Sequence, residues 1–219
     1  MQGSPNARMR AVTLERTSQR FTPVGAPKTN SGPVTLISGC MFSGKTTELL
    51  RRVASYDRAK VAAFKHAVDV RYSRNEIVSH AGKAYPACAV TSAGEILSRL
   101  APGLELVAID EAHFLDVDLV DVTGILARRG LAVVLTSLDP DSWGRPFEVL
   151  ERLRPIAGES VFLQATCARC DAVASRTQRL TPIVGGNMAD GPENYEPRCP
   201  ACWTPPPERA PSLWAKVGV

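Results

Sequence analysis

The sequence predicts an α/β protein: a parallel sheet flanked by helices, followed by a small C-terminal domain held by cysteines. Three observations carry that prediction. Apolar runs of strand length alternate with helical patterns through the first two-thirds of the chain, the order that builds a parallel sheet with right-handed crossovers. Between the first run and the first helical pattern stands Gly39-Cys40-Met41-Phe42-Ser43-Gly44-Lys45-Thr46, which fits the pattern G-x-x-x-x-G-K-[ST] of a P-loop. Nearer the C-terminus, Cys167/Cys170 and Cys199/Cys202 form two C-x-x-C pairs with 28 residues between them.

Residues 1–33 hold five basic side chains (Arg8, Arg10, Arg16, Arg20, Lys28), one acid (Glu15) and four prolines, without apolar periodicity. This arm is expected to be disordered. A buried strand is expected at Val34-Thr35-Leu36-Ile37-Ser38, then the 39–46 loop, then a helix from Thr47. Leu49, Leu50, Val53 and Ala54 mark the apolar face of that helix, with Arg51 and Arg52 outside. Val61-Ala62-Ala63-Phe64-Lys65 reads as a second buried strand. A short helix is expected over 92–100, with Ser92 as N-cap and Glu95 three residues on. The apolar run 104–109 is a further strand and ends in Asp110-Glu111. A helix over 116–128 is stopped by Gly130, and Leu131-Ala132-Val133-Val134-Leu135-Thr136 is the next strand. Ser38, Asp110 and Asp139 all fall at carboxyl ends of strands, where such sheets collect ligands. After about residue 155 the alternation gives way to short apolar runs, the cysteine pairs and a Gly/Pro/Asn-rich stretch at 182–197. The expected division is an arm (1–33), a nucleotide-binding α/β domain (34–155), a zinc-ribbon-like domain carrying a long loop (156–205) and a tail (206–219).

With 219 residues and 44% hydrophobic content, the chain can build one good core plus a small module. Its net charge of +4 resides in the arm, leaving 21 basic and 21 acidic side chains in the rest. That balance argues against a broad nucleic-acid-binding surface. No apolar stretch approaches the roughly 20 residues that span a bilayer. No charged segment leads into an apolar one at the N-terminus, so a cytoplasmic protein is expected.

The chemistry begins with the loop. Gly39 and Gly44 let the backbone of Cys40, Met41, Phe42 and Ser43 curl so that N–H groups face phosphate oxygens. The helix that follows presents its positive end to the same anion. Lys45 supplies a mobile cation, and Thr46 a hydroxyl for Mg²⁺ beside a nucleoside triphosphate such as ATP. Asp110 is placed to hold the same Mg²⁺, and Glu111 to accept a proton; an acidic strand end that caps the next helix is the plainer alternative. Asp110-Glu111-Ala112-His113 also matches a helicase box, but the remaining chain is too short for a second motor domain. Four thiolates at ribbon spacing close a tetrahedral Zn²⁺ shell, which makes the metal structural; redox pairs are the competing reading. Cys40 and Cys88 read as small buried residues. Asp69-Val70-Arg71-Tyr72 follows a strand and could bring a carboxylate and a cation to the phosphates, or form a solvated loop salt bridge. Phe114, Trp143 and Tyr195 could stack on a base or fill the core, core being the default for aromatics. His66, His80 and His113 lack metal-ligand spacing.

Four segments, Gly-Cys-Met-Phe-Ser-Gly-Lys-Thr-Thr-Glu-Leu-Leu (39–50), Asp-Glu-Ala-His-Phe (110–114), Ser-Arg-Thr-Gln-Arg-Leu (175–180) and Asn-Tyr-Glu-Pro-Arg-Cys (194–199), occur in order. Together they resemble the zinc-containing, cytosolic type of thymidine kinase. The resemblance implies transfer of the γ-phosphate of ATP to the 5′-hydroxyl of thymidine. It implies ATP binding by 39–46, Mg²⁺ on Thr46 and Asp110, and Glu111 as catalytic base. It also puts Asp69 and Arg71 near the phosphates, and Met41, Phe114, Leu138 and Thr177 around the nucleoside base. A lasso loop ending at Tyr195 would cover that base, and the assembly would be a homotetramer. A P-loop ATPase, or a kinase for a different nucleoside, is the alternative. The family usually has Gln where His113 stands and an aromatic where Ser142 stands.

Overall fold

The computed structural model describes residues 16–19, 31–69, 73–181 and 191–206. Its strands are β1 (Arg16–Gln19), β2 (Val34–Gly39), β3 (Val61–His66), β4 (Glu76–Val78), β5 (Ala84–Pro86), β6 (Cys88–Val90), β7 (Leu106–Asp110), β8 (Ala132–Leu138), β9 (Glu159–Leu163), β10 (Ala165–Thr166), β11 (Val173–Ala174), β12 (Arg176–Arg179) and β13 (Tyr195–Arg198). The α-helices are α1 (Lys45–Val53), α2 (Gly94–Ser98), α3 (Leu119–Arg128) and α4 (Glu148–Leu153).

The central sheet runs in the order β1-β9-β2-β8-β7-β3-β6. Six of these strands are parallel, and β1 adds antiparallel to β9 at one edge. The apolar runs are continuous because both faces are covered. Ile37, Leu106, Ala108, Ala132, Val134 and Val161 point to one side, where Leu49, Leu50 and Val53 of α1 close the core. Leu36, Val107, Ile109, Val133 and Leu135 alternate to the other side, under Ile96 of α2, Leu119, Val122 and Leu126 of α3, and Leu150 and Leu153 of α4. Strand residues one apart thus feed two separate cores, as the two-residue period of the pleat requires.

The structure corrects the sequence reading in several places. The helix expected over 92–100 is shorter, Gly94–Ser98. Its Glu95 carboxylate reaches back to Thr91, accepting from the backbone N–H at 3.0 Å and from the hydroxyl, so Thr91 takes the place expected for Ser92. The Glu95 carboxyl is held down to about 2, chiefly by the Thr91 hydroxyl and then by the Thr91 N–H and Arg99. The helix expected from 116 starts at Leu119, and the Asp116 carboxylate instead accepts the Ala93 N–H at 3.2 Å. Gly130 follows the end of α3 with φ 83°, the left-handed geometry expected of a stop.

β9 lies beyond residue 155, where the alternation weakens in the sequence, yet it inserts between β1 and β2 in the central sheet. The four-residue strand β1 falls inside the arm expected to carry no structure. Residues 1–15 and 20–30 of that arm, and 207–219 of the tail, lie outside the described residues.

After β9, β10 pairs with β11 and β12 with β13, both antiparallel. These two small ribbons form the cysteine module. Among the described residues, no helix is long and apolar enough to cross a membrane.

Candidate active site

The loop leaves β2 through a passage that only glycine fits. A Cβ on Gly39 would lie 2.1 Å from the carbonyl oxygen of Leu163 on the neighbouring β9. Gly44, at φ 86°, is the N-cap of α1, and Phe42 also takes a left-handed conformation at φ 65°. The curled loop therefore delivers the chain into α1 with the helix N-terminus at the carboxyl edge of the sheet, the arrangement that favours anions. Lys45 is buried and its ammonium donates to the carbonyl of Cys40 at 2.8 Å. The Ser43 hydroxyl is wholly buried in the loop without a hydrogen-bond partner. Such a group needs a partner from somewhere.

Thr46, in the first turn of α1, places its hydroxyl 3.4 and 3.3 Å from the two carboxylate oxygens of Asp110, at the end of β7. Asp110 is buried and also accepts from the Thr136 hydroxyl on β8. The same Thr136 oxygen accepts the backbone N–H of Glu111 at 3.1 Å. One β8 hydroxyl thus holds the Asp110 carboxylate and the Glu111 backbone. Glu111 turns off the strand in a left-handed conformation, φ 52° and ψ 47°. This geometry costs a non-glycine residue energy and clusters at functional sites. Its carboxylate oxygen Oε2 lies 3.4 Å from Nδ1 of His113. That nitrogen also accepts the Leu138 N–H at 3.2 Å. A backbone amide is always a donor, so Nδ1 carries the lone pair, and the approach to Glu111 is a close contact rather than an ion pair.

Asp69 is buried against Lys65, Oδ2 to Nζ 3.2 Å. Lys65 also donates to the carbonyls of Ser73 at 2.9 Å and Glu76 at 3.3 Å. Since Lys65 and Asp110 are register partners on β3 and β7, Asp69 is moored beside the acid pair. Arg71 lies outside the described residues. The Met41 N–H, expected to face phosphate, instead donates to the hydroxyl of Thr177, on β12, at 3.1 Å, because the loop packs against that strand. Leu138 is the register partner of Gly39. Phe114 is buried against the rings of His113 at 4.2 Å and His66 at 6.3 Å. Met41, Thr177, Leu138 and Phe114 therefore border the loop and the acid pair. Tyr195 stands at the far end of the β12–β13 hairpin, facing Arg179 in register. Its hydroxyl accepts from Arg179, which also donates to the carbonyl of Thr181 at 2.7 Å. Residues 182–190, which include most of the expected lasso, lie outside the described residues.

The ligand atoms of Cys167, Cys170, Cys199 and Cys202 all lie within 4.8 Å of one another. The donor set fits a soft divalent cation. Burial opposes ionisation of Cys167, but the N–H groups of Cys199, Arg169 and Cys170 outweigh it and hold the thiol down to about 6. Cys202 is pushed up to about 12, first by Cys170 and then by Cys199. Crowded thiols resist losing every proton without a cation among them. Cys40 is wholly buried, and burial raises its thiol with Lys45 opposing. It packs as a small residue, as expected.

Sequence reasoning did not single out Lys65, Thr136 or Trp203. The available signal for the first two was a polar side chain inside an otherwise apolar strand near its carboxyl end.

A glycine-bent loop beside a buried Asp110 and a half-buried Glu111 at the carboxyl edge of a doubly covered parallel sheet defines a P-loop nucleotide-binding protein, here joined to a four-cysteine module. The thymidine kinase family model matches residues 32–203. A thymidine kinase of Rhodothermus sp. (strain ITI 518) is 42% identical over 177 residues, covering 80% of this chain and 83% of the relative. The chain belongs to the thymidine kinase family.

Proposed function

We propose that the chain transfers the γ-phosphoryl group of ATP to the 5′-hydroxyl of thymidine, with 39–46 cradling the donor phosphates and Glu111 accepting the hydroxyl proton. The observation that carries this reading is the opposition of Thr46 and Asp110 at 3.3 Å, with Glu111 next along the chain. Phosphoryl transfer asks chiefly for positioning and charge neutralisation. Two hard oxygens suit Mg²⁺, and when bound there the ion would neutralise charge on the phosphates. Thr136 holds the two acids in fixed relation. Lys65 holds Asp69 near the phosphates, where Arg71 would join it. Met41, Phe114, Leu138, Thr177 and Tyr195 would line the nucleoside site, and a covered site keeps water from competing as acceptor.

We assign the four cysteines to structural Zn²⁺, since four thiolates leave no open coordination position. With β9 in the sheet, the nucleotide-binding domain is proposed to run from 34 to 163, with the zinc module following it in the chain. A homotetramer, a cytoplasmic location and the lack of a nucleic-acid partner are carried over as proposals from the resemblance and the charge balance.

Transfer of labelled phosphate from ATP to thymidine, deoxyuridine, deoxycytidine and deoxyguanosine tests the reading. Thymidine is expected to be the best acceptor. ATP hydrolysis that ignores every nucleoside would replace the kinase with an ATPase.

A further inference from the structure

Two consecutive residues of the phosphate loop are tied to the cysteine module. The Cys40 thiol donates to the carbonyl of Ala174 at 3.4 Å, and the Met41 N–H donates to the Thr177 hydroxyl at 3.1 Å. Thr177 is completely buried, and its carbonyl accepts the indole N–H of Trp203 at 3.2 Å. Trp203 directly follows Cys202. Its backbone N–H donates to the carbonyl of Cys199 at 3.0 Å, and that of Cys202 donates to the same carbonyl at 3.1 Å. The Trp203 ring is clamped from outside the knuckle as well. A Cβ on Gly144 would lie 3.1 Å from the ring, and the Arg176 guanidinium sits 5.4 Å from the ring centroid. Thr204 and Gln178 exchange two further hydrogen bonds, 2.9 and 2.8 Å. The position of the Trp203 indole is therefore set by the Cys199–Cys202 turn on one side and reported to β12 on the other.

Among the described residues the module buries little apolar surface. Its buried apolar cluster consists of Cys167, Ala174 and Cys199, with Ala165 and Cys202 packed against it. The coordinates of the Cys199–Cys202 turn, and so of Trp203 and Thr177, depend on what the cysteines bind.

We infer that the path from Cys199 and Cys202 through Trp203 and Thr177 to Met41 couples the metal site to the donor-phosphate site. Trp203 and Thr177 are positioning residues: the Thr177 hydroxyl takes the Met41 N–H and so fixes the loop backbone at 41, which sets the path of the neighbouring donors. This rests on reading 39–46 as the ATP cradle and the cysteines as a zinc site, and goes beyond it: the zinc module serves the donor as well as the nucleoside loop. Coupling of binding free energies is reciprocal. Bound ATP must therefore tighten the hold on zinc by the same factor by which zinc tightens the hold on ATP. A factor of about ten sits within the range usual for such couplings.

The test uses the full zinc-loaded chain with Mg²⁺ and a non-hydrolysable ATP analogue, without thymidine. Calorimetry gives analogue affinity for the wild type, Trp203→Phe, Thr177→Val and Thr177→Ser. A chromophoric chelator gives the equilibrium zinc affinity with and without analogue. Trp203→Phe keeps the ring and removes the indole donor, and is expected to bind the analogue about tenfold more weakly at unchanged zinc stoichiometry. Thr177→Val should lose a similar factor, and Thr177→Ser, which keeps the hydroxyl, should recover most of it. Analogue should strengthen zinc retention in the wild type about tenfold and leave Trp203→Phe nearly unmoved. Equal analogue affinity in all four proteins, with zinc affinity indifferent to analogue, overturns the coupling alone. If Trp203→Phe cannot be purified with zinc, the Thr177 pair decides: equal affinities of Val and Ser overturn it. A wild type that binds no analogue sinks the donor-loop reading, and this inference with it.

Discussion

The sheet and the cysteine module are built on opposite physical terms. The sheet is wrapped by two apolar clusters, one on each face, in which side chains such as Leu36, Leu106, Leu135 and Leu150 are almost wholly buried. Burial of that kind makes a domain stable on its own. Among the described residues the module has two-stranded ribbons and an apolar cluster that consists largely of its own cysteines, so the proposed coordination would be its main source of stability. The division matches the two tasks. Phosphate and acid groups need fixed geometry, and they sit on the ends of sheet strands. A loop proposed to cover the nucleoside needs firm roots, and Thr181 and Asn194, bonded at 2.8 Å, tie the two ends of the 182–193 segment together.

The largest effect that should leave both regions intact is Glu111→Gln. It removes the proposed base while keeping the shape of the side chain. Transfer should fall about 10²–10⁴-fold, while ATP-analogue affinity and melting temperature stay near wild type. Turnover close to wild type would take the proton-accepting role away from Glu111. Leu135→Ala attacks the sheet by its own physics. Leu135 is fully buried in the α3/α4 face, and its truncation should cost about 2–5 kcal/mol in urea unfolding. Zinc stoichiometry of the folded fraction should not change. A loss below about 1 kcal/mol would mean that the core at this point is not close-packed. Cys199→Ser attacks the module instead. Zinc should leave and nucleoside KM should rise by at least about tenfold, a size typical when a metal site is disturbed. The sheet should unfold in a separate transition at nearly the wild-type urea midpoint. A single merged transition, shifted downward, would show that the two regions fold as one.

The same contrast explains what was legible in the sequence. The loop, the acid pair and the cysteine pairs were readable because each function demands fixed residue types at fixed spacing. β2, β3, β7 and β8 were readable because a strand covered on both faces is apolar throughout. Other features depend on neighbours that no local pattern names. β9 begins Glu159-Ser160, and Glu159 is spoken for by Arg52 of α1 at 2.6 Å, so its polar start hides its place in the sheet. Asp116 resembles the start of a helix, but its carboxylate serves Ala93 across a gap of 23 residues. Thr136 and Lys65 look like blemishes in apolar strands until Asp110 and Asp69 appear beside them. Trp203 reads as a residue trailing a cysteine pair, and its role at the seam depends on Thr177 and Gly144 closing around it. The expected nucleoside residues Met41, Phe114, Leu138 and Thr177 came from resemblance; a lone Phe, Leu, Met or Thr carries no spacing that marks a base site.

The smallest predicted effect separates proton uptake in the sheet from proton uptake at the cysteines. His66 ends β3 and is buried, with Nδ1 accepting the Val68 N–H at 3.1 Å. Burial lowers its pKa from the ordinary 6.5, with the Thr91 carbonyl and then Asp116, Asp69 and Glu95 opposing. The folded chain therefore takes the proton later than the unfolded chain as pH falls. The contribution to stability is fully present above pH 6.5 and is lost as pH drops from there through the folded value, with a slope of at most about 1.4 kcal/mol per pH unit. Zinc release also grows with acidity, because thiols must lose protons to bind. His66→Asn keeps an acceptor for Val68 and removes only the titration, so zinc-linked losses are common to both proteins. Between pH 7 and pH 5.5 the wild type should lose more urea stability than His66→Asn, by up to about 1 kcal/mol. Equal losses would place all of the acid sensitivity outside His66 and leave coordination at the module as its main source.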